Sequence, residues 1–140
     1  MIDSITHSIQ AAVTPVFLLA GVGAMLSVMA QRLARIVDRS RVLHGRLADG
    51  DTRDGVHLNE EIGLLRRRIL TVNIAISLCT VCALLICAVV AIIFLGSLAV
   101  VDMATPIALC FVSAMASLIG ALLCFLYEIY LATARRPLMR

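Results

Sequence analysis

No charged side chain interrupts residues 71–101, TVNIAISLCTVCALLICAVVAIIFLGSLAVV. A helix of roughly 20 apolar residues crosses a hydrocarbon core about 30 Å thick, so this run can span a membrane and still begin a short loop. Residues 11–30 and 103–127 are also free of charge. We therefore predict an all-α membrane protein, a single membrane domain over 1–140. Its three transmembrane helices lie near 10–30, 71–95 and 105–128, with a short loop near 96–105.

Composition supports this class. Of the 140 residues, 61% are hydrophobic, and the mean hydropathy is +1.03. A soluble domain of this length does not need so much apolar surface to build a core. A secretory signal peptide is the competing interpretation of the first apolar run. It is disfavoured because the first ten residues contain no arginine or lysine, which the start of a signal peptide requires.

The arginines predict the orientation in the membrane. All twelve basic residues are arginine; nine lie between spans one and two, and three follow span three. The opposite side carries only Asp3 and Asp102. Because short loops rich in arginine stay in the cytoplasm, we expect the N-terminus outside and the C-terminus inside.

Two amphipathic segments connect spans one and two. Their apolar residues recur at helical spacing, and residues 48–55 between them are rich in turn formers and helix breakers. We therefore predict a cytoplasmic antiparallel helical hairpin over about 31–70, joining helices one and two. The apolar positions of its arms are Leu33, Ile36, Val37, Leu43 and Leu47, then Leu58, Ile62, Leu65 and Ile69.

One face of the first helix suggests a pore. Along it, residues alternate by three and four and change from mildly polar to narrow and apolar, then to cationic. Several copies around an axis would enclose a channel whose cytoplasmic arginine vestibule favours anions. The alternative is that these arginines follow the positive-inside rule and contact anionic headgroups. The predicted pore-lining residues are Thr14, Leu18, Gly21, Met25, Val28, Arg32, Arg35 and Arg39.

A cytoplasmic ion-pair network is predicted around two carboxylates. Glu128 lies at the cytoplasmic edge of span three, at the depth of the arginine cluster, where Arg32, Arg66 or Arg67 would neutralise it. Asp38 has an arginine three residues away on either side, a spacing at which helix neighbours pair. A proton relay is the functional alternative for Glu128.

Small and hydroxyl-bearing residues on the spans predict close helix packing. Without a hydrophobic driving force in lipid, such residues let helix backbones approach and add weak hydrogen bonds. A polar substrate path is the alternative. The residues concerned are Gly23, Asn73, Ser77, Ser113, Ser117 and Gly120.

The sequence contains no pattern typical of an enzyme. All five cysteines lie in spans two and three, and the pair Cys79 and Cys82 has no second pair or histidine to complete a metal site. The three histidines are scattered, and phosphate-binding and hydrolase motifs are missing. We expect no catalysis, no cofactor and no metal. Nucleic acid is not an expected partner, since the basic residues lie at the membrane surface without stacking aromatics.

The segments TPVFLL at 14–19 and RLARIVDR at 32–39, with Gly21 and Gly23 between them, resemble a family of small bacterial membrane proteins catalogued as domain of unknown function 2721. The resemblance implies the three-span layout and a bacterial inner membrane, but no activity. Two hypotheses follow. The chain forms a homo-oligomeric channel that conducts ions, or it is a structural or regulatory membrane protein whose hairpin docks a partner protein. Both favour an oligomer in contact with lipid, because three spans are few for a monomeric transporter.

Overall fold

Three long helices make up the fold. A computed structural model describes residues 2–49, 55–99 and 102–134. It contains α1 (Ile2–Ala48), α2 (Gly55–Ala99) and α3 (Ala104–Ala134). Each helix is long and apolar enough to cross a membrane, so the all-α prediction with three candidate spans agrees with the structure. With 47 residues, α1 is about 70 Å long, more than twice the thickness of a hydrocarbon core.

The connections differ in detail from the prediction. The loop before α3 is shorter than expected, because α2 continues to Ala99 and α3 begins at Ala104. The Asp102 carboxylate accepts a hydrogen bond from the backbone N–H of Ala104 at 3.1 Å and so caps the helix. Pro106 follows within the first turn, where its missing N–H is tolerated. Most of the predicted turn, residues 50–54, lies outside the described residues.

Buried positions recur every seven residues in all three helices. This period keeps one seam of a long helix facing its neighbours, as in coiled coils. The α2 helix lies in the middle and packs along both α1 and α3, while α1 and α3 approach each other less closely. The seven-residue rows are Pro15, Val22, Met29, Ile36 and Leu43 in α1; Leu65, Val72, Cys79 and Ile86 in α2; and Ala114, Ala121 and Glu128 in α3.

The seam separates into two apolar clusters. The first joins all three helices around Val22, Met29, Cys79, Ile86 and Ala121. The second joins only α1 and α2, since none of its described members belongs to α3. Its buried members are Ile36, Leu43, Leu65 and Val72, with Leu58 and Ile62 partly buried against them. The two amphipathic arms therefore pack together, although Leu47 is 43% exposed and lies off the contact.

Candidate functional site

A buried carboxylate joins the three helices. The seven-residue row of α3 brings Glu128 into the seam, where only 2% of the residue is exposed. Its Oε1 accepts a hydrogen bond from Nη2 of Arg68 on α2 at 2.6 Å, and its Oε2 accepts one from Nη1 of Arg32 on α1 at 3.4 Å. We call this group the Arg–Glu–Arg junction.

The junction has an aromatic member. The Arg32 guanidinium lies over the ring of Phe125, 5.1 Å from its centroid, a distance at which a cation is attracted to the face of an aromatic ring. Phe125 and Glu128 are three residues apart and so share one face of α3. Arg32 is thus held by two residues of the same helix.

Burial explains why the carboxylate needs two arginines. A carboxylate removed from water loses roughly several kcal/mol of hydration free energy. Charged or hydrogen-bonding groups must offset this loss. Arg68 is the closer partner, and 28% of its side chain is exposed. Two guanidinium groups facing one carboxylate leave the junction with a positive charge in excess. The Nε atom of Arg68 is buried and has no hydrogen-bond partner among the described residues.

The rest of the predicted ion-pair network has a different arrangement. Arg66 and Arg67 are exposed, and Arg68 occupies the position beside Glu128 that the prediction assigned to one of them. Asp38 is exposed and has no ion pair within the described part of the chain. A separate exposed pair links α1 to α2: Oε1 of Glu61 accepts from Nη2 of Arg39 at 2.6 Å and from its Nε at 3.2 Å.

The predicted pore-lining residues form two columns on α1 rather than one face. The buried row of α1 runs through Pro15, Val22, Met29 and Ile36. The column beside this row therefore faces the neighbouring helices, and it consists of Leu18, Met25, Arg32 and Arg39. Leu18 and Met25 pack against the first cluster, and Arg32 and Arg39 pair with glutamates of other helices. The second column is exposed and consists of Thr14, Gly21, Val28 and Arg35.

Two of the predicted packing residues lie at the contact between α2 and α3. The Ser117 hydroxyl donates to the carbonyl oxygen of Leu78 at 2.7 Å, and a Cβ added to Gly120 would lie 3.3 Å from Cδ1 of the same leucine. The other four residues are exposed. The hydroxyl of Ser113 donates to a carbonyl of its own helix. The exposed four are Gly23, Asn73, Ser77 and Ser113.

The cysteines form no disulfide among the described residues. Cys79 and Cys82 are buried in the first cluster as free thiols. Within 2–49, 55–99 and 102–134, no group of three or more His, Cys, Asp or Glu side chains is placed to hold a metal ion.

The family described as "Protein of unknown function (DUF2721)" matches residues 12–136, nearly the whole chain. The chain belongs to the DUF2721 family. The matched residues include Arg32, Arg68 and Glu128, so the Arg–Glu–Arg junction lies within the family region. Comparison with curated proteins and with solved structures finds no similar protein and no similar structure. Membership in DUF2721 indicates neither a reaction nor a ligand.

Proposed function

We propose that this chain is a homo-oligomeric protein of a bacterial inner membrane, assembled around α1 as a pore that favours anions. The observation that carries the proposal is a difference between the outer surfaces of the helices. In the second half of the predicted first span, residues 18–30, all of which the structure describes, Val28 is the only exposed large hydrophobic residue, whereas the first half exposes Val13, Val16 and Phe17. The apolar parts of α2 and α3 expose many, including Leu84, Phe94, Leu95, Leu109, Val112, Ile119 and Leu123.

Over residues 18–30, the outer surface of α1 suits another helix better than lipid. Small residues let two helix backbones approach closely within a membrane. Gly21 and Gly23 have no atom within 4 Å of an added Cβ, so packing inside the chain does not explain their lack of a side chain. Ser27 and Gln31 are exposed on the same helix and would gain hydrogen-bond partners at a contact between subunits.

The exposed column Thr14, Gly21, Val28 and Arg35 is the part of α1 that can face an axis between subunits. Its narrow apolar section would form a constriction, and its arginine would form a cationic ring. Arg35 has no carboxylate partner within the described residues, in contrast to Arg32 and Arg39. Its charge therefore remains available to attract an anion.

The arginine distribution supports the orientation in this proposal. The N-terminus lies outside, and the arms of α1 and α2 form a hairpin in the cytoplasm. The second cluster, around Ile36 and Leu65, packs the two arms against each other and supports that hairpin. The ring of Arg35 then lies at the cytoplasmic mouth of the pore.

Assembly is tested by native mass spectrometry of the detergent-solubilised protein. We expect a single oligomer for the unmodified chain and loss of that oligomer in Gly21→Leu, because the added side chain blocks close approach of α1. Ala91→Leu is the matched control, since Ala91 is exposed on α2. A monomeric unmodified chain, or an oligomer that tolerates Gly21→Leu, would exclude assembly around this face.

Conduction is tested in planar bilayers under a salt gradient. The reversal potential should indicate anion preference, and Arg35→Glu should weaken or reverse it. Arg41→Glu makes the same charge reversal at another exposed position of α1 and should change selectivity much less. An oligomer without conductance would favour the second candidate, a structural or regulatory protein. In that case the exposed Val42 and Val56 on the hairpin arms would contact a partner protein.

A further inference from the structure

An open groove of about 1030 Å³ lies between α2 and the last turns of α3. One part of its wall is cationic and the other is apolar. Arg39, Arg67 and Arg68 form the cationic part, which also contains Glu61, and Leu70, Tyr127 and Leu131 belong to the apolar part.

The groove lies at the level where the apolar spans give way to charged sequence. The uncharged stretch of α2 begins at Thr71, which lines the groove, and that of α3 ends at Tyr127. Tyrosine is typical of the membrane–water interface because its ring is apolar and its hydroxyl is polar. The cationic part of the wall is therefore at headgroup depth, and Leu70 is exposed beside it.

The charges around the groove are not balanced. Arg39 pairs with Glu61, while Arg32 and Arg68 share Glu128. Arg67 has no carboxylate within ion-pair distance in the described residues, although it lines the groove. Independently, the buried Nε of Arg68 lacks a hydrogen-bond partner among those residues. The groove therefore has an excess of positive charge, and Arg68, one of its arginines, has a donor without a partner among the described residues.

We propose that this groove binds the headgroup of an anionic phospholipid. The phosphate would contact the guanidinium groups of Arg67 and Arg68, and an acyl chain would leave the groove toward the membrane along Leu70 and Tyr127. A phosphate matches guanidinium donors in charge and geometry, and basic pockets between spanning helices suit anionic headgroups. The apolar wall favours a lipid over a soluble phosphate, which would leave that surface uncovered. The site requires the membrane placement of the helices, but neither the oligomer nor conduction.

The test is lipid binding measured by native mass spectrometry on the full chain. Phosphatidylglycerol and phosphatidylcholine are titrated separately, and inorganic phosphate is added as a soluble competitor. We expect preferential retention of phosphatidylglycerol that millimolar phosphate does not displace. Arg67→Gln should weaken that binding about fivefold, the effect of one arginine near an anionic headgroup.

Arg66→Gln is the matched control, because Arg66 is adjacent in sequence and exposed but does not line the groove. It should leave phosphatidylglycerol affinity unchanged. Neither variant touches the Arg–Glu–Arg junction, so both should fold. Equal retention of the two lipids, equal effects of the two substitutions, or full displacement by inorganic phosphate would each overturn the proposal. Each of these outcomes is independent of whether the protein forms a pore.

Discussion

Glu128 links all three helices through its ion pairs. Its carboxylate is the shared partner of arginines from α1 and α2, and its side chain is 1% exposed. Because this position is buried, water cannot take the place of the carboxylate as a partner of the two arginines. Removing it leaves two guanidinium groups close together without a counter-charge. The repulsion between the two guanidinium groups and their lost hydration then both destabilise the folded protein.

We expect Glu128→Gln to lower the free energy of unfolding by about 3–5 kcal/mol, the cost of breaking a buried ion pair. Glu61→Gln is the comparison, because the Arg39–Glu61 pair is exposed (64% and 41% of the two side chains) and should contribute about 0–1 kcal/mol. Both are measured by unfolding in mixed micelles of increasing denaturing detergent. Similar small losses for the two variants would contradict a stabilising role for the junction.

A second prediction at this scale concerns two serines of α3. Ser117 donates to a carbonyl of α2, whereas the Ser113 hydroxyl bonds within its own helix. Ser117→Ala should destabilise the protein by about 0.6 kcal/mol, the average for hydrogen bonds between membrane helices. Ser113→Ala should have a smaller effect in the same detergent titration. A larger loss for Ser113→Ala would mean that the contact between α2 and α3 is wrongly described.

At the scale of the helices, α1 and α2 differ from α3 in length. The arms of α1 and α2 are joined by the second cluster, which has no described member in α3, and by the exposed Arg39–Glu61 pair. Two helices with a short apolar seam are less stable than a three-helix contact, so this region should open first. Its stability depends on few side chains. Leu65, which is 4% exposed, is one of them.

We expect Leu65→Ala to cost about 2–5 kcal/mol locally, because it removes a buried leucine and leaves a cavity. Hydrogen–deuterium exchange should show faster exchange in residues 33–47 and 55–69, with the apolar parts of the helices unchanged. Val56→Ala is the control, since Val56 is 76% exposed. Unchanged exchange in both arms would show that they do not depend on this cluster.

At the scale of the whole molecule, the positive-inside rule makes the orientation testable. Asp3→Cys should react with a membrane-impermeant maleimide on intact cells, after their outer membrane is permeabilised. Glu60→Cys, on the exposed side of α2, should react only once the inner membrane is opened. The unmodified chain, whose five cysteines lie within the helices, measures the background. Labelling of Glu60→Cys before Asp3→Cys would reverse the topology.

Several features follow from the sequence alone. The number of helices depends on the length of uncharged runs, because a helix satisfies its own backbone hydrogen bonds wherever lipid replaces water. The arms were predictable because their apolar residues recur on one face, and Ile36, Leu43 and Leu65 do meet in one cluster. The Asp102 cap escaped prediction, although an aspartate just before a helix is a recognised signal.

Only the tertiary structure decided which residues meet in the seam. Arg66, Arg67 and Arg68 point about 100° apart on one helix. The spacing from Leu65 places Arg68 next to the apolar face, but it does not say which carboxylate Arg68 meets. Packing of α3 against α2 selects Arg68 for Glu128. The sequence also did not determine which column of α1 faces the other helices, because a spanning helix is apolar on all sides and its periodicity is weak. The seven-residue seam shared with α2 turns Leu18, Met25 and Arg32 toward the bundle and leaves Gly21 and Arg35 exposed. That choice depends on contacts between helices distant in sequence, which no local pattern encodes.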